Sequence, residues 1–312
     1  MTAPTYTILI PVYNEAAVLP SLFPRLDDLV ARLDATTEVL LIDDGSRDGS
    51  AELIRAALAT RPWLRLLRFA RNFGHQAAIT AGYDHAAGSA VVCLDADLQD
   101  PPEVILEMAK RWREGFEVVY GVRTKREGES RFKKFTAWAF YRTMRSLAKV
   151  DLPVDAGDFR LMDRKAVDAL KQVRERSRYM RGLVAWIGFR QCAVPYDRAE
   201  RFAGETKYPL RKMLKLAFDG ILSFSAVPLR IALVIGFAVS LLSIIAGLVA
   251  VVIKLGGWYT VDGWSSLAVL VSFIGGVQLT VLGIIGEYIS RIYDEVKARP
   301  LYLVAEQAGG QA

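Results

Sequence analysis

Two pairs of carboxylates in the 312-residue sequence have spacing suited to metal and nucleotide chemistry. Asp95-Ala96-Asp97 closes the apolar run Ala90 to Leu94 and precedes Leu98-Gln99-Asp100-Pro101-Pro102, so it reads as a loop between a strand and a helix. Two carboxylates so placed can share one divalent cation that also takes phosphate oxygens and water. A cation held this way offsets the charge that builds on a departing diphosphate. Taken alone, an Asp-X-Asp is more often a solvated turn, and it is the strand–loop–helix context that points to a metal. Asp43-Asp44-Gly45-Ser46 ends a second apolar run, Leu40-Leu41-Ile42. Adjacent carboxylates are costly to bury unless donors such as ribose hydroxyls or a base N–H meet them. A plain turn is the competing reading of this block, with Asp48 as the cap of the next helix.

These residues need a scaffold, and the sequence supplies one. Tyr6–Val12, Glu38–Asp43, Leu64–Phe69, Ala90–Leu94 and Glu117–Gly121 read as strands. Val18–Leu33, Gly49–Ala59, His75–Ala87 and Pro101–Glu114 read as helices between them. Such alternation predicts a parallel, doubly wound α/β sheet. Ligands of such sheets bind beyond the carboxyl ends of the strands. Asn14 and Glu15, Asp43 and Asp44, and Asp95 and Asp97 all follow strand ends.

Hydrophobic residues make up 52% of the chain although 24% is charged, which predicts a soluble domain joined to membrane segments. Ile231 to Ile253 and Ser265 to Gly286 carry no charge, and each is long enough to cross roughly 30 Å of hydrocarbon as a helix. The short connection holds Trp258, Tyr259 and Trp264, residues typical of a lipid–water boundary. Arg230 before the pair, and Arg291, Lys297 and Arg299 after it, predict a cytoplasmic location for both ends. The formal charge of +6 suits an anionic lipid surface as well as nucleic acid, and the two spans argue against nucleic acid. Cys93 and Cys192 show no paired or metal-type spacing and read as buried thiols in a reducing compartment.

Ile10-Pro-Val-Tyr-Asn-Glu15, Ile42-Asp-Asp-Gly-Ser46, Arg71-Asn72-Phe73-Gly74 and Leu94-Asp-Ala-Asp-Leu-Gln99 occur in order. With these blocks the chain resembles the family 2 glycosyltransferases of GT-A fold, in the dolichyl-phosphate mannose synthase-like branch. The two C-terminal spans are similar to the bacterial polyisoprenyl-phosphate (undecaprenyl-phosphate) glucosyltransferases. The resemblance implies inverting transfer of a hexose from a nucleotide sugar, with Mg2+ or Mn2+, onto a polyisoprenyl phosphate. Glucose from UDP-glucose is the preferred donor, and mannose from GDP-mannose the alternative. A nonenzymatic nucleotide-sugar sensor is the competing class, and the intact acidic constellation argues against it. The resemblance also implies a homo-oligomer, a tetramer among the options, at the bacterial inner (plasma) membrane.

Carried over by motif, the resemblance makes Asp43 and Asp44 the holders of the nucleoside, with Glu15 and the backbone near Pro11 and Tyr13 lining the base. Asp97 is implied as principal metal ligand, assisted by Gln99, with Asp95 on the nucleotide side and partly on the metal. Asp155-Ala-Gly-Asp158-Phe-Arg-Leu-Met162 resembles the acceptor-side acidic motif, in which Asp158 faces the sugar. A structural salt bridge beside Arg160 is the other reading of Asp158.

A lipid monophosphate is already ionised near neutral pH, so its oxygen needs no base, but two anions must be brought together. Cations for the acceptor phosphate are available at Arg123, Arg126 and Arg131, and at Arg198, Arg201 and Lys207 with Thr206 beside it. The order of Arg201, Gly204, Thr206, Lys207 and Tyr208 is similar to the phosphate-binding loop of the mannose synthase branch, with Thr where Ser is more frequent. Residues 209–226 form an amphipathic pattern suited to the membrane interface, and Phe132 to Leu147 mixes aromatic with basic residues in the same sense. The resulting organisation is a cytoplasmic catalytic domain over 1–208, an interfacial helix over 209–227, two spans within 228–290 and a cytoplasmic tail over 291–312.

Overall fold

A computed structural model of the protein describes residues 3–124, 156–176, 178–197, 227–256 and 264–310. The chain divides into two compact units, Met1–Ala217 with Pro300–Ala312, and Phe218–Arg299.

The first unit is built on strands β1 (Tyr6–Val12), β2 (Thr37–Asp43), β3 (Leu64–Phe69) and β4 (Ala90–Cys93), paired in parallel in the order β4-β1-β2-β3. Helices α1 (Leu19–Arg32), α2 (Ser50–Leu58) and α3 (His75–His85) connect them, and α4 (Val104–Arg113) leads to β5 (Val118–Arg123). Every residue of β1 is buried, as expected of a central parallel strand covered on both faces. Helix α1 buries Leu19, Leu22, Phe23, Leu26 and Leu29, spaced by three and four residues so that they share one stripe. These side chains join Ile8, Ile10, Leu41 and Val92 in one hydrophobic core beneath the strand ends.

The five strands expected from the sequence all run in one direction, and the sheet also holds antiparallel strands that the sequence did not mark. Strand β6 (Ala156–Asp163) lies between β4 and β5 and is antiparallel to both. Strand β7 (Gln191–Tyr196) runs parallel to β5 and completes that edge. Between β6 and β7 lie α5 (Arg164–Gln172) and α6 (Met180–Trp186). The sequence hides β6 because it carries Asp158 and Arg160, two charged residues buried in a strand, which breaks the apolar run that marks a buried strand.

The C-terminal segment, expected as a tail over 291–312, contains a strand. Strand β8 (Val304–Gly309) pairs antiparallel with β3 and covers what would otherwise be an open sheet edge. Tyr302 stacks on Phe69 with ring centroids 5.1 Å apart, and its hydroxyl donates to Asp84 Oδ2 at 3.0 Å. Arg55 forks onto both carboxylate oxygens of Glu306, at 2.9 and 2.7 Å.

The second unit is a pair of long helices, α7 (Val227–Leu255) and α8 (Trp264–Val296), packed on one another. Segments Leu229–Val249 and Phe273–Val296 are long and apolar enough to cross a membrane. Their side chains face outward: Leu233 is 72% exposed and Phe237 71%. Helix α8 continues past Gly286, where the apolar run ends, and carries the ion pair Arg291–Glu287 at 3.1 Å.

Candidate active site

The site lies at the carboxyl ends of β1, β2 and β4, where three loops are joined by side chains. Asn14 takes a left-handed conformation at φ 54°, which its short polar side chain tolerates. Its N–H donates to Ser46 Oγ at 2.9 Å, while its own Oδ1 accepts the Arg47 N–H at 2.9 Å. The Glu15 N–H donates to Ser50 Oγ at 3.0 Å and the Ala16 N–H to Asp48 Oδ2 at 2.9 Å. Burial works to raise Asp48, but hydrogen bonds from Ser50 and the Ala16 N–H outweigh it and hold its pKa below the ordinary value. The N-cap of α2 is Gly49 rather than Asp48, and Asp48, bonded to Ala16 and Ser50, ties the loop after β1 to the start of α2.

Asp43 and Asp44 have different environments. Asp43 is wholly buried, accepts the Ser46 N–H at 2.9 Å and lies 3.0 Å from Arg68 Nε. Asp44 accepts three hydrogen bonds from the next loop: the Phe73 N–H at 2.6 Å, the Gly74 N–H at 2.9 Å and Asn72 Nδ2 at 3.0 Å. Burial raises its pKa, and the two backbone donors act against that. Gly45 permits this closure. Its φ is +69°, and a Cβ there would lie 2.6 Å from the Arg71 carbonyl carbon, inside backbone contact.

The loop after β4 is crowded with acids. Leu98 is buried in a left-handed conformation at φ 58°, an uncommon state for a branched side chain and one that clusters at functional sites. Asp97 Oδ1 accepts the Gln99 N–H at 3.1 Å. Asp95 Oδ1 is buried without a hydrogen-bond donor among the described residues. Burial pushes the Asp95 pKa up to about 6, helped by Asp158, Asp100 and Asp97 and opposed by His75.

Asp158 reaches this point through strand register. Strand β6 pairs Arg160 with Cys93, the last residue of β4, so Asp158 lies just past the paired end, where the loop carrying Asp95 begins. Arg181 of α6 forks onto Asp158, Nε to Oδ1 at 3.1 Å and Nη2 to Oδ2 at 3.2 Å, with Arg160 farther off at 3.9 Å. Burial alone would raise Asp158, but Arg181, His75 and Arg160 hold it well below the usual carboxylate range. His75 opens α3 and points Nε2 at both acids, 3.7 Å from Asp95 Oδ1 and 3.7 Å from Asp158 Oδ2. Burial tends to lower its pKa, while Asp158 and Asp95 prevail and raise it.

Pro11, Tyr13, Glu15, Asp43, Asp44, Asp95, Asp97 and Gln99 thus lie at or just before and after the carboxyl ends of the central strands β1, β2 and β4, and β6 brings Asp158 beside them. Pro11 is buried inside β1, whereas Tyr13 is exposed beyond its end. Arg123 closes β5, with Nε 3.4 Å from the Tyr196 hydroxyl and Nη2 3.9 Å from Asp100 Oδ1. Arg126, Arg131, Arg198, Arg201, Thr206 and Lys207 lie outside the described residues, as do Phe132 to Leu147, residues 209–226, Trp258 and Tyr259. Sequence reasoning passed over Asn72, His75 and Arg181. The block Arg71 to Gly74 pointed toward the first two. Arg181 had no local signal, because nothing distinguishes it from the many other arginines before the register of β6 is known.

Residues 7–171, just over half of the chain, match the family described as Glycosyl transferase family 2. The chain belongs to that family. In this family 2 transferase the sheet is of the mixed α/β, GT-A type, and residues 227–292 match the GtrB C-terminal hairpin, which covers α7 and most of α8. The transferase is 51% identical over 304 residues to "Uncharacterized glycosyltransferase YkcC" of Bacillus subtilis (strain 168), covering 97% of this chain and 94% of that one. It is 38% identical over 304 residues to the "SfII prophage-derived bactoprenol glucosyl transferase" of Shigella flexneri, covering 97% of this chain and 98% of that one. Among solved structures, the mannosyltransferase PcManGT from Pyrobaculum calidifontis, in complex with GDP-Man and Mn2+, aligns at a TM-score of 0.45 and 17% identity, over 90% of this chain and 88% of that one.

Proposed function

We propose that this family 2 transferase moves glucose, with inversion, from UDP-glucose to a polyisoprenyl phosphate such as undecaprenyl phosphate, at the cytoplasmic face of the plasma membrane. The observation that carries the reading is the combination, in one chain, of an acidic site at the strand ends with an outward-apolar helix pair. The full-length similarity to a bactoprenol glucosyl transferase supports the same acceptor class. A donor in water and an acceptor in lipid require both parts.

In this reading the loops closed by Asp44, Ser46 and Asn14 form the nucleoside seat, with Asp43, Glu15, Pro11 and Tyr13 around it. Asp95, Asp97 and Gln99 would hold Mg2+ or Mn2+. Two features fit a cation there: Asp95 Oδ1 is buried without a donor among the described residues, and like charges crowd it. No group of three or more His, Cys, Asp or Glu side chains able to hold a metal occurs among the described residues, so the remaining ligands would be diphosphate oxygens and water. The bound cation supplies neutralisation of the leaving diphosphate. Asp158, fixed by Arg181, faces the sugar. The acceptor oxygen is already anionic, so the chain's task there is to hold the lipid phosphate with cations, for which Arg123 and the motif residues Arg126, Arg131, Arg198, Arg201, Thr206 and Lys207 are proposed. Helices α7 and α8 anchor the enzyme beside its lipid, with both termini cytoplasmic and protomers associating as a homo-oligomer.

The test incubates purified full-length protein with undecaprenyl phosphate and a panel of labelled nucleotide sugars, and resolves the organic phase by mass. Undecaprenyl phosphate carrying one hexose from UDP-glucose is expected. Product from GDP-mannose alone would make the enzyme a mannosyltransferase, and no lipid product from any donor would refute the acceptor class.

A further inference from the structure

Asp95 in the loop after β4 and Asp158 in β6 bring two carboxylates to one point, each with an oxygen 3.7 Å from His75 Nε2. Two side chains with N–H groups, Arg181 and His75, approach the pair. Arg181 addresses Asp158 as a fork. His75 is placed differently, with Nε2 equidistant from the two acids at 3.7 Å. Two contacts fix it there. The loop just before it, 72–74, is clamped by the three hydrogen bonds to Asp44. The residue just after it, Gln76, accepts the Met180 N–H at 3.0 Å through Oε1, which ties the start of α3 to the helix that carries Arg181.

We propose that His75 is a positioning residue that clasps the donor-side carboxylate Asp95 to the sugar-facing carboxylate Asp158 and links their spacing, through loop 72–74, to Asp44. The proposal rests on the transfer reading above and deepens it. Asp95 belongs to the side that holds the diphosphate, and Asp158 to the side the acceptor approaches. Their separation sets how far the anomeric carbon stands from the attacking phosphate oxygen, and misplacement of reacting groups by about 1 Å costs on the order of a hundredfold in rate. A side chain with an N–H and adequate length at position 75 is the requirement, since its work is to stand between two carboxylates, 3.7 Å from an oxygen of each.

The experiment compares wild type with His75→Leu, His75→Gln and His75→Lys, all full length in nanodiscs. Leucine keeps apolar bulk and removes the donor; glutamine and lysine keep a donor. His75→Leu should lower kcat about ten- to a hundredfold while the donor KM changes less than about threefold. Glutamine and lysine should recover most of the loss. Hydrogen–deuterium exchange, which needs no acceptor, should show faster exchange over both 72–75 and 156–160 in His75→Leu only. Normal kcat in His75→Leu, failure of both donor-bearing variants to recover, or unchanged exchange in the two segments would each overturn the inference. Wild type that makes no lipid product would refute the transfer reading instead, and the exchange result would still decide the clasp.

Discussion

The two halves of the site are held together by different forces. Around Asp44, Ser46, Asn14 and Asp48, backbone N–H groups are met by side-chain oxygens, and the loops are joined by hydrogen bonds of 2.6 to 3.1 Å. Around Asp95 and Asp158, acids face acids, and balance depends on Arg181, His75 and Arg160. The first half is largely satisfied before any ligand arrives. The second half is electrostatically incomplete, with a buried carboxylate oxygen lacking a donor among the described residues. A nucleoside needs a preformed seat, whereas a diphosphate leaving group needs a place where added positive charge is strongly favoured.

The largest effect should come from the incomplete half. Asp97→Ala is expected to reduce transfer on the order of a thousandfold, matching the several kcal/mol that a bound cation supplies to the transition state, with the fold intact. Chelation should reproduce the loss in wild type, and added Mn2+ or Mg2+ should restore the wild type only. Substantial activity of this variant in excess chelator would remove the distinction between the halves.

Asp44→Ala tests the satisfied half. It leaves Asn72 Nδ2 and the Phe73 and Gly74 N–H groups without their acceptor. These contacts are part-buried, so each stranded N–H costs about 1 kcal/mol, and nucleotide-sugar affinity measured by calorimetry should fall about ten- to a hundredfold while acceptor KM stays near wild type. Equal loss of both would show that the two halves are not separable.

Arg181→Ala exposes the charge balance directly. Removing one partner of a largely buried pair costs about 2–3 kcal/mol, at the low end because Arg181 is partly exposed, and should lower the apparent Tm by several degrees. The pH dependence follows in sign. The folded pKa of Asp158 lies below its ordinary value of 3.8, so its stabilisation is complete above that value and is lost as pH falls through the depressed folded pKa. Without Arg181 that depression shrinks, and the acid transition followed by near-UV circular dichroism should move to higher pH. An unmoved transition would mean that His75 and Arg160 suffice.

Ser46→Ala should give the smallest effect. It deletes the acceptor for the Asn14 N–H in a loop that keeps its other bonds, so about 1 kcal/mol is expected, read as a few-fold rise in donor KM.

Much of this was legible without coordinates where the signal is local. The span expected for β1 coincides with the observed strand, and α1 to α4 fall within a few residues of their expected limits, because apolar periodicity is itself the cause of those elements. The carboxylates after β2 and β4 were legible for the same reason, since a strand's end fixes where the next residues point. The apolar stretches behind α7 and α8 were equally plain, as composition over that length suffices.

Tertiary structure alone decided the partners. That Asp158 comes near Asp95 follows from the β4–β6 pairing, between segments more than sixty residues apart, rather than from either segment. That Arg181 and His75 serve these acids, and that Asp44 is committed to loop 72–74, depends on the same packing. The strand after the hairpin shows the same principle, for Val304–Gly309 is short and mixed in polarity, and only the open edge of β3 makes it a strand. Helices and central strands are written in the periodicity of their own residues, whereas charge partners and edge strands are chosen by what the rest of the fold leaves unsatisfied.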